Sequence, residues 1–330
     1  MKVAAIGQAT HAKARFALPF VGAAVCLAGC STMPAVPAAP QDVRIVGSRV
    51  FPESITADRQ GNLYVGSLHG TVYRALPGAA IAEPWVEANS ENGLLSLFGV
   101  LADDAGGLLW TCSNPNAFAA DPPADAVSSL VAFELDSGAF VASYPFPEGP
   151  AACNDIAIAA DRTVFVTETA GGRIFLLTPG GIELELFADG EDLVGVDGIA
   201  FGADGAMFIN NVRANLVQRV DRNPGGDYAG LTTLDLSQPV RGPDGLRPIG
   251  GNRFLQAEGS GGRVALITID GDSATVEPLR SGLESSPGVT HVGRIGYATE
   301  GKIGYLVDPQ LEGQDPGEFI IRAFPLPEGL

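Results

Sequence analysis

Lysine is almost absent from this chain. Of its three lysines, Lys2 and Lys13 lie within the first fifteen residues, so Lys302 stands alone beyond them. Amine-based covalent chemistry is therefore disfavoured. Charged residues make up only 18% of the chain, and 38 Asp and Glu outnumber 20 Lys and Arg, giving a formal charge of −18 that argues against a nucleic-acid partner. Only three histidines and four cysteines occur, none at zinc-finger spacing. No Gly-x-Ser-x-Gly elbow is present, which counts against a serine esterase. Long amphipathic helical patterns are missing too. What is abundant is turn chemistry, with 43 Gly and 24 Pro beside a 46% hydrophobic fraction, the composition of many short strands joined by many turns. At 330 residues the chain can form one large or two ordinary domains, and its size is no obstacle to a substantial core.

The first residues read as a targeting segment. Lys2, His11, Lys13 and Arg15 precede an apolar run from Phe16 that ends in "LAGC", Leu27 to Cys30. The tetrapeptide resembles a bacterial lipobox, which implies a signal peptide over residues 1–29, lipidation of Cys30, and a lipidated, Pro-rich tether over residues 30–41. Ser31 in the next position resembles cargo released to the outer membrane. The expected location is the cell envelope, lipid-anchored at the outer membrane and facing the periplasm, with the N-terminal lipid as the sole membrane contact. A transmembrane anchor is the weaker reading, because the run is shorter than the roughly 20 residues a bilayer requires and contains Pro19. Cleavage removes Lys2, Lys13 and Arg15 and no acidic residue, so −18 becomes −21. It also removes Cys26, and Cys30 takes the lipid. Cys112 and Cys153 then remain, either paired as a disulfide or as two buried thiols.

Beyond residue 42 the chain repeats itself. Units begin "PESITADRQGNLYVGS" at Pro52, "FGVLADDAGGLLWTCSN" at Phe98, "NDIAIAADRTVFVTET" at Asn154, "VDGIAFGADGAMFINN" at Val196, "PDGLRPIGGNRFLQAEG" at Pro243 and "PGVTHVGRIGYATEG" at Pro287. Each has an alternating apolar strand, a Gly- or Asp-containing turn, an apolar-aromatic strand, a polar loop and a third alternating strand. Period-2 alternation broken by turns is a β-meander, and one meander per repeat predicts an all-β, six-bladed β-propeller over residues 42–330. The terminal segments "VRIVGSRV" and "FIIRAFPLP" are the strands expected to close the ring and leave no free sheet edge.

Alignment of the units places Glu53, Gly99, Asn154 and Asp197 at one position, 11 residues before the second-strand aromatic, with Asp244 and Gly288 joining after short deletions. In a propeller these positions form a ring at one mouth of the central channel. Three carboxylates on one ring repel unless a cation neutralises them or protons are retained. Each acid taken singly could equally begin a strand with a local turn bond. The oxygen-only set suits a hard divalent cation, calcium first, with magnesium, manganese or zinc as alternatives.

Over about residues 45–325 the chain resembles the gluconolactonase and senescence-marker-protein (regucalcin) family of six-bladed propellers, most specifically in "PDGLRPIGGNRFLQAEGSGGRV". The resemblance implies metal-dependent lactone hydrolysis. Asp244 takes the part of metal ligand and general base, Glu53 that of the first glutamate ligand, and Asp197 stands where the family usually has a ligand asparagine. Asn154 matches the family's asparagine near substrate and metal-bound water. The family's Glu-Gly-Pro is replaced by "PESIT" around Glu53, and its substrate-contacting basic residue by Ala152, which argues against a sugar-acid lactone.

Loops joining the second and third strands lie at the ring end and should supply a rim: His69, Asn114, Glu168, Asn210, Asn211, Arg213, Glu258 and Glu300. The blade-two loop from Ser113, taken as the longest, reads as a lid with Phe118 as an apolar contact, or as a plain solvated loop. His69 is an acid–base candidate or a surface histidine, and His291 is expected to be a packed channel residue. The expected reaction is hydrolysis of a small-molecule lactone or related ester by a monomer, with a cation polarising the carbonyl, Asp244 deprotonating the attacking water and Asn154 orienting it. Two other readings remain: a non-catalytic platform binding a ligand or protein around a structural ion, and a calcium-dependent arylesterase like the paraoxonases.

Overall fold

Residues 40–116, 118, 122–147, 149 and 151–330 are described by the structure, a computed structural model. The expected signal peptide, the lipidation site Cys30 and nearly all of the tether lie outside the described residues. The rest belongs to one unit, Pro40–Leu330.

Alternation in each repeat becomes a four-stranded antiparallel meander. The innermost strands are Pro52–Ala57, Ser96–Asp103, Cys153–Ile158, Val196–Phe201, Pro243–Gly250 and Val289–Val292. Each lies beside the next, and Val289–Val292 returns to Pro52–Ala57, so the six meanders close a ring in the manner of a propeller. Helical turns among the described residues are confined to Glu191–Leu193 and Gly304–Val307.

Closure follows the expected route. Val43–Ile45 pairs antiparallel with Phe319–Pro325, Val43 facing Ile321, and becomes the outer strand of blade 6. The same strand pairs in parallel with Ile81–Glu87, the outer strand of blade 1, so blades 1 and 6 merge into one eight-stranded sheet. The first and last segments of the unit are thereby held by backbone hydrogen bonds from both sides, and one potential free edge is covered.

Apolar residues on strand faces form six clusters, one at each blade interface. Second-strand aromatics anchor them: Phe208 of blade 4 meets Phe254 of blade 5 edge-on at 5.3 Å between ring centroids. A rigid wall of packed blades is what allows the channel mouth to hold polar side chains in fixed positions.

Blades 2 and 3 are also joined covalently. Cys112, in the second strand of blade 2, is bonded to Cys153, the first residue of blade 3's inner strand. Asn114 clamps the same residue, its Nδ2 donating to the Cys153 carbonyl and its Oδ1 accepting from the Cys153 N–H, both at 2.9 Å. Asn154 follows directly, so its backbone is fixed by a disulfide and a two-pronged amide.

Candidate functional site at the channel mouth

Each of the first five inner strands begins with a bulge. In blade 3, Cys153 faces Glu168 but Ile156 faces Val166, so Asn154 and Asp155 occupy a break in the ladder. The same break frames Glu53 in blade 1, Phe98 in blade 2, Asp197 in blade 4 and Asp244 in blade 5. A bulge frees a side chain from the sheet faces and aims it along the channel.

The ring therefore reads Glu53, Phe98, Asn154, Asp197, Asp244 and Pro287, all lining one cavity of about 780 Å³. This corrects the expected positions Gly99 and Gly288, which lie one residue further along. In blade 2 Leu101 pairs with Trp110, where in blade 3 the equivalent Ala157 pairs with Phe165, so the blade-two hairpin is one residue longer and counting back from its aromatic stops one residue short. The two glycines serve close packing instead. A Cβ at Gly99 would sit 2.1 Å from the Asn154 carbonyl oxygen, and one at Gly288 would sit 3.1 Å from that of Glu53. Each thus admits the ring residue of the next blade.

Four polar side chains converge on the cavity floor. Asp197 and Asp244 are close enough for each to shift the other's proton affinity, and Asn154 Nδ2 donates to Asp197 Oδ2 at 2.9 Å and to Thr169 Oγ1 at 2.8 Å. Thr169 donates onward to the Val196 carbonyl at 2.7 Å, which locks the amide's orientation. Burial pushes all three acids up. Asp197 rises to about 7, through burial first and then the charge of Asp155. Asp244 is held well above the carboxylate range by burial and then by Asp197 and Glu53, and Glu53 likewise by burial and then by Asp197 and Asp155. Such a cluster retains a proton or attracts a cation.

The donor chemistry fits a hard cation: three carboxyls, one amide oxygen, and a buried Asp197 Oδ1 that accepts no hydrogen bond. As the side chains lie, however, no group of three or more His, Cys, Asp or Glu among the described residues is arranged around a common metal position.

Most of the expected rim is used elsewhere. Glu168 is fully buried, accepts the N–H groups of Ala152, Ala170 and Gly171, and pairs with Arg173 at 2.8 Å. Glu258 accepts from Arg241 N and pairs with Arg263, and Glu300 accepts from Glu284 N and pairs with Arg322. Asn211 accepts from Arg213 N and Ala214 N and donates to the Val194 carbonyl. These residues, with Asn114, end second strands and staple backbone near the entry to an inner strand, which keeps their side chains off the cavity. Asn210 has a related part, accepting from Gly198 N and donating to the Asp244 carbonyl. Arg213 is exposed and does not line the cavity.

Phe118 does line it, as expected of the blade-two loop. His69 sits behind, in a neighbouring cavity of about 430 Å³ that shares Phe118. Its Nδ1 lies 3.0 Å from the Phe118 carbonyl oxygen, and burial lowers its affinity for a proton. His291 is not packed in the channel as expected. It is half-buried, with Nδ1 3.3 Å from the Gly293 carbonyl of its own hairpin turn.

Three features were not anticipated. Residues 300–318 of blade 6 form a longer loop than residues 115–128 of blade 2. This loop caps the mouth with Ile303, Gly304, Val307 and Leu311. Lys302 fastens it, Nζ donating to the carbonyls of Pro316 and Glu318, and also faces the cavity. The third is Arg247, whose Nη1 lies 2.8 Å from Asp155 Oδ2 across the channel. A count of the gap between the last two strands would have found the cap; the ion pair had no signal in the repeat grammar.

Among protein families, "Strictosidine synthase-like, N-terminal" matches residues 45–75. No curated protein matches the chain. Of solved structures, the luciferin-regenerating enzyme superposes with a TM-score of 0.61 at 12% identity, covering 88% of this chain and 96% of that one. A protein assigned as a gluconolactonase superposes at 0.60 with 16% identity, covering 88% and 95%. Virginiamycin B lyase from Staphylococcus aureus gives 0.57 with 13% identity, covering 86% and 98%. At these identities the likeness shows the fold, and the family match covers residues 45–75 alone.

Proposed function

We propose that this channel mouth hydrolyses lactones or related esters. The observation that carries the reading is the convergence of Glu53, Asn154, Asp197 and Asp244 on the floor of one cavity, with the acids' proton affinities raised by burial and mutual repulsion. A carboxylate with raised proton affinity is a stronger base than a solvated one, as general-base catalysis near neutral pH requires.

In the reaction, water attacks the acyl carbon and Asp244 takes its proton. The acyl carbon's bond to the ring oxygen then breaks, and that oxygen takes the proton, leaving a hydroxy acid. Asn154, fixed by Thr169 and by the disulfide-anchored backbone before it, orients the water or the carbonyl oxygen. Glu53, Asp197 and Asp244, with the amide oxygen of Asn154, would hold a divalent cation, calcium or magnesium by donor type, which when bound supplies Lewis-acid polarisation of the carbonyl. The cap and Phe118 cover part of the mouth.

Turnover of a lactone panel, with and without chelator, tests this reading. Hydrolysis that Asp244→Asn abolishes in a folded protein supports it, and absence of turnover for every lactone and ester, with divalent cation supplied, refutes it.

A further inference from the structure

The cavity above the ring is divided by polarity. One wall is apolar, formed by Leu68 of blade 1, Phe98 and Phe118 of blade 2, and Ile303, Val307 and Leu311 of the cap. Phe98, Phe118 and Ile303 pack on a blade core from behind, so that wall is backed by hydrophobic structure. Val307 is 61% exposed at the lip, a large apolar side chain left in solvent beside the opening. Polar side chains above the floor are gathered on the side of blades 5 and 6, where Ser260, Glu284, Ser285 and Lys302 face the cavity.

The polar side chains that end second strands near the mouth are committed, which leaves Ser260, Glu284 and Ser285, on the side of blades 5 and 6, as the polar groups above the floor. Glu168, Asn211 and Glu258 are buried and spend their polar atoms on backbone and arginine partners. Lys302 spends Nζ on two carbonyls of the cap. A substrate hydroxyl laid against the apolar wall would lose its water and gain no partner, whereas an alkyl or aryl group would gain burial. The carboxyl floor and the acidic chain also disfavour an anionic substrate.

On these grounds, and resting on the hydrolase reading above, we infer that the substrate is a neutral lactone or ester with an apolar substituent. Its carbonyl lies at the ring, and its alkyl or aryl group lies along the wall from Phe98 to Leu311. A polyhydroxylated sugar lactone is the poor substrate.

The test is a series of γ-lactones with unbranched alkyl groups of increasing length, beside a polyhydroxylated lactone of the same ring size. The expected result is a kcat/KM that rises about fourfold per methylene over the first few carbons and exceeds that of the hydroxylated lactone throughout. Val307→Ser and Leu311→Ser, at positions outside the packed core, should flatten this slope without lowering the melting temperature. A flat slope, or preference for the hydroxylated lactone, overturns the inference and leaves lactone hydrolysis standing. If no lactone is turned over, the hydrolase reading fails, and calorimetric titration with the same series decides the inference. Affinity that grows with chain length then supports it, and affinity no better than that of the hydroxylated lactone overturns it.

Discussion

Arg247 of blade 5 reaches across the channel to Asp155 of blade 3, Nη1 to Oδ2 at 2.8 Å, with both side chains buried. Asp155 Oδ2 also accepts the N–H of Ile199 in blade 4 at 3.1 Å, and Arg247 Nη2 donates to the Val100 carbonyl of blade 2 at 3.3 Å. One ion pair thus ties four blades together next to the carboxyl ring. It also sets the ring's field, since Arg247 lowers and Asp155 raises the proton affinity of Glu53.

Breaking that pair on one side leaves a buried charge uncompensated. Arg247→Ala should cost about 3–5 kcal/mol, whereas the double replacement Arg247→Met with Asp155→Leu should recover most of the loss. Urea unfolding of the three proteins measures both values. A single variant as stable as the parent would show the pair to be dispensable.

The Cys112–Cys153 bond closes a separation of 41 residues, for which chain entropy gives a contribution of about 4 kcal/mol. Replacement of both cysteines by serine should lower the unfolding midpoint accordingly, and reductant should do the same to the parent. Equal midpoints in oxidised and reduced protein would contradict the bond's stabilising role.

Glu168 distinguishes a staple from a substrate contact. Its loss in Glu168→Ala removes an ion-pair partner of Arg173 and the acceptor of three backbone N–H groups, a cost of about 3 kcal/mol or more that Glu168→Gln should partly restore. Chemical denaturation reads this directly. A variant that unfolds like the parent but binds substrate more weakly would return Glu168 to the rim.

Asp197 sets a pH dependence. Its carboxyl is pushed up to about 7 in the folded protein against a reference of 3.8, so folding favours the protonated form. The resulting stability is fully present below the unfolded value and is lost as pH rises through the folded one. Without divalent cation, the melting temperature should fall between about pH 4 and about pH 7, a loss on the order of a few kcal/mol. Calcium added at the upper end should raise it again by replacing the proton. A melting temperature that climbs with pH in chelator would contradict the buried-acid account.

The repeat grammar made most of the fold legible, because period-2 alternation and turn residues are local and recur six times. Glu53, Asn154, Asp197 and Asp244 were legible for the same reason, being carried by a register. Gly99 and Gly288 stood in for Phe98 and Pro287 because a one-residue change in hairpin length is invisible until strands are paired. Glu168, Asn211 and Glu258 were misread as rim residues, since a polar residue ending a strand looks alike whether it faces solvent or caps a buried N–H. Arg247 and Asp155 lie 92 positions apart, on different blades, and only the closed ring brings them together.

The most direct measurement is lactone hydrolysis by the parent and by Asp244→Asn, with each protein's fold verified by its melting curve. Turnover that falls by a factor on the order of 10²–10⁴ in the variant, and that chelator removes from the parent, is the predicted result. Undiminished turnover by folded Asp244→Asn would contradict the assignment of the channel mouth as the catalytic centre.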